Sequence, residues 1–294
     1  MTSTTAAVGQ AGRRGRLLRD ALHSAEQRLE AAGVASPRVD AEILAAHLLG
    51  VSRGGLWSHL DSPVPAGFDG LVAGRADRIP VQHLTGWAHF RTVTVAVGPG
   101  VFCPRPETEL VAGHGLGVLA ELGVERPTVV DLCSGSGAIA AAISVEGPPA
   151  QVHAVERDPG AGPWLQQNAA AHGFAAHLAD IEGCLEELNG SVDLVLANPP
   201  YIPEGAVPRD PEVARFDPAL ALYSGPDGLA HVRLVERAAA RLLRPGGWVV
   251  VEHGDRQGTS VPEIFSSSGA WSDVIDHLDL AGRDRFVSAR LAAN

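Results

Sequence analysis

At 294 residues with 45% hydrophobic side chains, the chain is long enough for one catalytic domain and a smaller companion. A formal net charge of -11 and a pI near 5.5 work against non-specific binding to a phosphate backbone, which relies on basic side chains displacing counterions. Three widely spaced cysteines, Cys103, Cys133 and Cys184, exclude a disulfide framework, and no apolar run approaches the roughly 18 residues of a membrane span. A soluble, cytoplasmic protein is expected, and the histidines show no metal-ligand spacing such as His-Glu-x-x-His.

In chain order, residues 1 to about 14 are small and polar and are expected to lack structure. Leu17, Leu18, Ala21, Leu22, Ala25 and Leu29 fall on one helical face. Ser36-Pro37 reads as an N-cap and first-turn proline, and Val39, Ile43, Leu44, His47 and Leu48 carry a second helix to Gly50. Phe68, Leu71, Val72 and Ala76 mark a third, stopped by Pro80. Residues 1–86 therefore read as a helical domain. Val93, Val95 and Val97 alternate with small residues before Gly98-Pro99-Gly100, which predicts a hairpin linker over 87–109.

From about residue 110, apolar runs alternate with helical stretches, the pattern of a parallel α/β sheet. Strands are expected at 128–132, 152–156, 176–180, 192–198, 248–252, 274–278 and 286–291, giving a doubly wound, seven-stranded Rossmann-like α/β domain over 110–294.

The run Val129 to Ala140 is a buried strand, a Gly-rich turn and a helix start, and its glycines permit a ligand to approach the backbone. Asp131 ends the strand, where its carboxylate suits the cationic ammonium and sulfonium of S-adenosylmethionine better than a dinucleotide pyrophosphate. Glu156 ends the next strand, placed to accept hydrogen bonds from ribose hydroxyls, and Asp180 closes the third, within reach of an adenine amino group. Candidate cofactor residues are thus Asp131, Ser134, Gly135, Gly137, Glu156, Asp180 and Asn198.

The fourth strand delivers Asn198 into Pro199, Pro200 and Tyr201, and two consecutive prolines stiffen the backbone beneath the Asn side chain. A planar amide or aryl amine is a poor nucleophile because its lone pair is delocalised. Acceptance of its two N–H groups by the Asn198 carboxamide oxygen and the Pro199 carbonyl would orient it for attack on a methyl group. Asn198, Pro199 and Tyr201 are the candidate catalytic residues, and Pro200 and Tyr201 shape the substrate pocket.

These motifs, with Asp40 to Leu44, Pro80 to Gly86, Phe102 to Glu109, Phe216 to Leu222, Gly225 to Leu229, Leu243 to Gly247, Glu252 to Gly254 with Gln257, and Asp279 to Arg285, resemble the release-factor glutamine methyltransferases of the PrmC/HemK family over nearly the whole chain. The resemblance implies that the substrate is the glutamine of the Gly-Gly-Gln motif of class I peptide chain release factors. It also implies that Phe102 lines the transfer pocket and that Arg105 and Glu107 belong to a loop closing over it. His253, Cys133, Ser134 and residues 160–163 depart from the family pattern, and are expected at the cofactor pocket's rim. The alternatives are an N6-adenine methyltransferase acting on DNA or RNA, disfavoured by the acidic charge, a cofactor-binding protein without catalysis, and a nicotinamide oxidoreductase, disfavoured by Asp131.

Overall fold

The computed structural model describes residues 16–208 and 210–293, so the segment expected to lack structure lies outside the described residues. The chain divides into two compact units, Met1–Thr85 and Gly86–Asn294.

The first unit is helical, with α1 at Leu18–Ala31, α2 at Pro37–Leu49, α3 at Phe68–Ala76 and α4 at Val81–Thr85. In α1 the predicted stripe is the buried one: Leu18, Ala21, Leu22, Ala25 and Leu29 all point into the core. In α2 the buried face is rotated from the expected stripe to Asp40, Ala41, Leu44, Ala45 and Ala46. The reason is an ion pair that hydropathy does not reveal, in which Arg75 of α3 donates to Asp40 at 2.7 Å with both side chains about nine-tenths buried. Ser36 precedes α2 but its side chain makes no capping bond, while Gly50 ends the helix at φ 65°, a left-handed conformation that glycine adopts without steric cost. Pro80 both stops the chain after α3 and opens α4, because its carbonyl accepts from Leu84 N–H at 3.1 Å. A 3-10 turn at Arg53–His59, with the Ser52 hydroxyl accepting from Gly55 N–H, has no periodicity to announce it.

The second unit opens with the hairpin of β1, Trp87–Phe90, and β2, Val93–Ala96. This hairpin was expected as a linker and is instead part of the unit's core. Phe90, Val93, Val95, Val97 and Val101 are buried in one cluster with residues of the helices that follow. Next come α5 at Thr108–Leu122, β3 at Thr128–Leu132, α6 at Ala138–Glu146, β4 at Gln151–Glu156, α7 at Gly162–His172 and β5 at Ala175–Leu178. After these come β6 at Val192–Ala197, α8 at Pro211–Phe216, α9 at Ala230–Leu242, β7 at Leu243–Glu252, α10 at Ser260–Ser267, β8 at Trp271–Leu278 and β9 at Asp284–Leu291.

Seven strands form one sheet in the order β5-β4-β3-β6-β7-β9-β8, a Rossmann-like α/β sheet in which β9 alone runs opposite to the other six. All seven predicted strands are present. Separate apolar clusters lie on its two faces, so β3 and β6 are buried on both sides and are mostly apolar, each interrupted by one buried aspartate, Asp131 and Asp193. The chain proceeds outward from β3 in one direction to β4 and β5, and in the other to β6 and β7. Strand order reverses between β3 and β6, and the crevice beyond their carboxyl ends is where open α/β sheets hold ligands. Among the described residues no helix is long and apolar enough to cross a membrane.

Candidate active site

A cleft opens at that reversal, lined by Gly100 to Phe102, Pro104, Thr108, the β3–α6 loop, the ends of β4 and β6, Pro218, Leu220 to Leu222, His231 and Leu234. Of the residues expected at the site, Phe102, Gly135, Glu156, Asp180, Asn198, Pro200 and Tyr201 line it together. Asp131, Ser134, Gly137, Arg105, Glu107 and Pro199 do not.

The β3–α6 loop explains part of that division. Asp131 is 1% exposed, and its Oδ2 accepts from the Ser134 hydroxyl and from Ala140 N–H at 3.2 Å, so it ties the loop down from beneath. Burial pushes its carboxyl up to about 7, against the lowering effect of those hydrogen bonds. Gly137, at φ 82°, sits where a Cβ would lie 2.6 Å from the Phe174 ring and 2.9 Å from Leu165, so its absent side chain serves packing. Gly135 is different: at φ 56° the place of its missing Cβ meets nothing within 4 Å. Its N–H donates to Glu156 Oε2 at 2.8 Å, and Asp158 N–H donates to Glu156 Oε1 at 2.7 Å. Each carboxylate oxygen keeps lone pairs, and the two backbone donors fix which way they face. A glycine open on one side, beside two acceptor carboxylates, fits a ligand bearing ribose hydroxyls and an amino group.

At the other strand end, Asn198 Nδ2 donates to the hydroxyl of Thr108, the first residue of α5, at 3.0 Å. The Thr108 hydroxyl also holds down the pKa of Glu252, the last residue of β7, whose Oε2 is buried without a hydrogen-bond partner among the described residues. With Nδ2 engaged by the Thr108 hydroxyl, the Asn198 Oδ1 is left to accept. Glu252 is 1% exposed; burial drives its carboxyl up to about 7, opposed by Thr108, by the charge of Arg285 and by the Tyr201 hydroxyl, which donates to Oε1 at 3.3 Å. Burial and the Glu252 charge in turn push the Tyr201 hydroxyl far up, so it stays a donor.

The Asn-Pro-Pro-Tyr segment is held from behind as well. Gln257 Nε2 donates to the Tyr201 carbonyl at 3.1 Å, and its Oε1 accepts from Gly254 N–H at 2.9 Å. Gly228 at φ 75° packs so closely that a Cβ would fall 2.5 Å from the Tyr201 carbonyl oxygen. Arg105, whose guanidinium lies 4.9 Å from the Phe102 ring centroid, donates to Asp217 at 2.7 Å, which fixes residues 102–105 to the loop after α8. Glu107 is exposed, and its charge pushes Glu252 further up. Of the departures from the family pattern, Cys133 lines the cleft, whereas His253 is fully buried outside it with Nε2 at 2.8 Å from Asp276. Sequence reasoning quoted Thr108 and Glu252 inside longer motifs without giving either a role. The signal was available for Thr108, a hydroxyl at a helix start, and absent for Glu252, which only the sheet order brings beside β6.

Residues 20–86 match the PrmC N-terminal domain family and residues 92–212 the methyltransferase small domain family. The release factor glutamine methyltransferase of Streptomyces coelicolor is 49% identical over 269 residues, covering 91% of this chain and 96% of that protein. This chain belongs to the release factor glutamine methyltransferase family. The Mycolicibacterium smegmatis enzyme of the same family is 50% identical over 277 residues, covering 92% of this chain and 97% of that protein. A 4-amino-L-phenylalanine/4-methylamino-L-phenylalanine methyltransferase of Streptomyces pristinaespiralis is 40% identical over 260 residues, covering 87% of this chain and 89% of that protein. As a member of this family, the chain is an S-adenosylmethionine-dependent methyltransferase.

Proposed function

We propose that this chain methylates the side-chain amide nitrogen of the glutamine in the Gly-Gly-Gln motif of class I peptide chain release factors, in the cytoplasm, with the cofactor held in the cleft at the β3/β6 reversal. The observation that carries the reading is the Asn198 carboxamide, fixed at Nδ2 by Thr108 so that Oδ1 accepts a substrate N–H. S-adenosylmethionine supplies an electrophilic methyl group on a sulfonium. Glu156 and Asp180 hold the ribose and adenine, while Gly135 gives way to the ligand and Asp131 keeps the loop in shape through Ser134 and Ala140. Asn198 Oδ1 and the Pro199 carbonyl take the two amide N–H groups and turn the nitrogen toward the methyl group, which restores part of the nucleophilicity lost to delocalisation. Phe102 and Tyr201 provide flat apolar walls beside it, and the Arg105–Asp217 pair fixes the Phe102 loop. Once methylated, the nitrogen sheds its proton readily, so no strong base is needed before attack.

The test is peptide mass mapping of purified release factors after incubation with the full-length chain and labelled S-adenosylmethionine. The expected result is a single methyl group on the glutamine of Gly-Gly-Gln. Label on a different residue, or none on any release factor, sinks the assignment. A free aryl amine is a second reading, favoured by the 40% identity to the aminophenylalanine enzyme. Label transferred to 4-amino-L-phenylalanine and to no release factor would establish it.

A further inference from the structure

His231, the second residue of α9, lines the cleft that the proposed function gives to the cofactor, and its ring nitrogens have unequal surroundings. Nδ1 lies 2.9 Å from the hydroxyl of Ser224, a residue with no exposed surface. The same hydroxyl oxygen accepts from the backbone N–H of His231 at 2.8 Å. No other acceptor among the described residues takes the Ser224 proton. If Nδ1 carried hydrogen, a buried hydroxyl proton would be left without a partner, at a cost of about 1 to 3 kcal/mol. The arrangement that satisfies both groups has Ser224 donating to Nδ1, so the proton of the neutral ring sits on Nε2. Nε2 is buried and bonded to nothing among the described residues. Burial, with the charge of Arg157 adding to it, lowers the ring's pKa and keeps it neutral.

The surroundings of this N–H define what it can bind. Ile181 and Leu234 give that part of the cleft apolar walls, and Asp180 is near enough for its charge to act on the ring. One Asp180 oxygen is engaged with Glu182 N–H at 3.1 Å, which leaves the other to accept. An acceptor on Asp180 and a donor on His231 in one cleft, with apolar Ile181 and Leu234, complement the edge of adenine, where an amino group is flanked by ring nitrogens N1 and N7. Ribose hydroxyls donate as readily as they accept and would not select this tautomer, and a phosphate would be repelled by Asp180.

We propose that His231 is an adenine-selecting residue, presenting Nε2–H to a ring nitrogen beside the amino group that Asp180 accepts from. The inference rests on the cleft being the cofactor site, so the experiment must separate the two. Calorimetry on the full-length chain would compare S-adenosyl-L-homocysteine with its 1-deaza and 7-deaza analogues. His231→Leu, which removes the donor, should weaken S-adenosyl-L-homocysteine about tenfold, the scale of one neutral hydrogen bond. His231→Gln, which keeps an N–H at similar reach, should recover most of that loss. One of the two analogues should bind the unaltered protein about tenfold more weakly, and His231→Leu should cost nothing further with it. Equal losses with S-adenosyl-L-homocysteine and both analogues would reduce the effect to lost packing and overturn the proposal. So would an unchanged affinity in His231→Leu.

The tautomer is open to a check that needs no core substitution. Ring nitrogen shifts of the histidine-labelled protein should report Nε2–H and an unprotonated Nδ1 for His231, and the opposite pattern overturns the proposal. Glu156→Ala is the control for the site itself. If that variant binds S-adenosyl-L-homocysteine as tightly as the parent, the cleft is wrongly assigned and both readings fall. If it binds weakly while His231→Leu does not, only the role of His231 is lost.

Discussion

Thr108→Val replaces a hydroxyl with a methyl group of nearly the same shape at a position 4% exposed, so the backbone of α5 has little cause to move. The hydroxyl is the hydrogen-bond partner that tells the two ends of the Asn198 carboxamide apart. Without it the amide can turn, and the turned form presents Nδ2 to a substrate N–H, donor against donor. A neutral hydrogen bond contributes about 1 kcal/mol, which sets the correct orientation ahead by about fivefold. With the two orientations then equally populated, the productive fraction drops from about five-sixths to about one-half, so turnover should fall about twofold. Thr108→Ser keeps the hydroxyl and should transfer at the parental rate. Cofactor affinity should be unchanged in both, because Glu156, Gly135 and Asp180 are untouched. Single-turnover transfer to a release factor, with calorimetry of S-adenosyl-L-homocysteine alongside, reads both quantities. A Thr108→Val enzyme at the parental rate, or a Thr108→Ser enzyme as slow as the valine variant, would refute the orienting role.

Asn198→Ala should leave cofactor affinity nearly intact and lower transfer by about 100-fold or more, as measured by single-turnover kinetics. Glu156→Ala should weaken cofactor binding by on the order of 1 to 3 kcal/mol in a calorimetric titration, since both Gly135 and Asp158 lose their anchor along with the ribose. Glu252 has a folded pKa raised by burial from 4.5 to about 7, so the folded state binds its proton more tightly and stability falls as pH rises through that interval. Glu252→Gln should flatten this loss in thermal melts between pH 5 and pH 8, yet slow transfer several-fold, because a Gln amide can donate to Thr108 and release the Asn198 orientation. A chain beginning near Trp87 should still bind S-adenosyl-L-homocysteine but methylate an intact release factor far less well than a Gly-Gly-Gln peptide. Equal loss on both would assign the helical unit to shaping the active site.

The sheet was legible because β3 and β6 are buried on both faces and are therefore predominantly apolar, with Asp131 and Asp193 as the exceptions. The α1 stripe was legible for the complementary reason, one clean wet face. Reading failed where a polar group is buried. The buried face of α2 turns toward Asp40 because Arg75 compensates its charge, and periodicity counts Asp40 as a surface residue. Asp131 was expected to face the ligand; it lies outside the cleft lining with Oδ2 bonded to Ser134 and Ala140, donors that a strand-end Asp does not announce in sequence. The hairpin was taken for a linker because two short strands carry no sign of the α6 and α7 surface that buries their valines.

In the proposed mechanism the reacting nitrogen meets two acceptors, Asn198 Oδ1 and the Pro199 carbonyl. Such a pair would take a glutamine amide or an aryl amine alike. Choice of substrate must then come from groups that do not touch the reacting nitrogen. Those at hand are the walls around it, Phe102 with the Arg105–Asp217 pair behind it and the apolar rim of Pro218, Leu220 and Leu222. Leu220 is half exposed and free to meet a large partner, whereas Asn198 and its supports are anchored by Thr108, Glu252 and Gln257. On the proposed mechanism, chemistry sits on strand ends held by several hydrogen bonds and recognition falls to the surrounding loops.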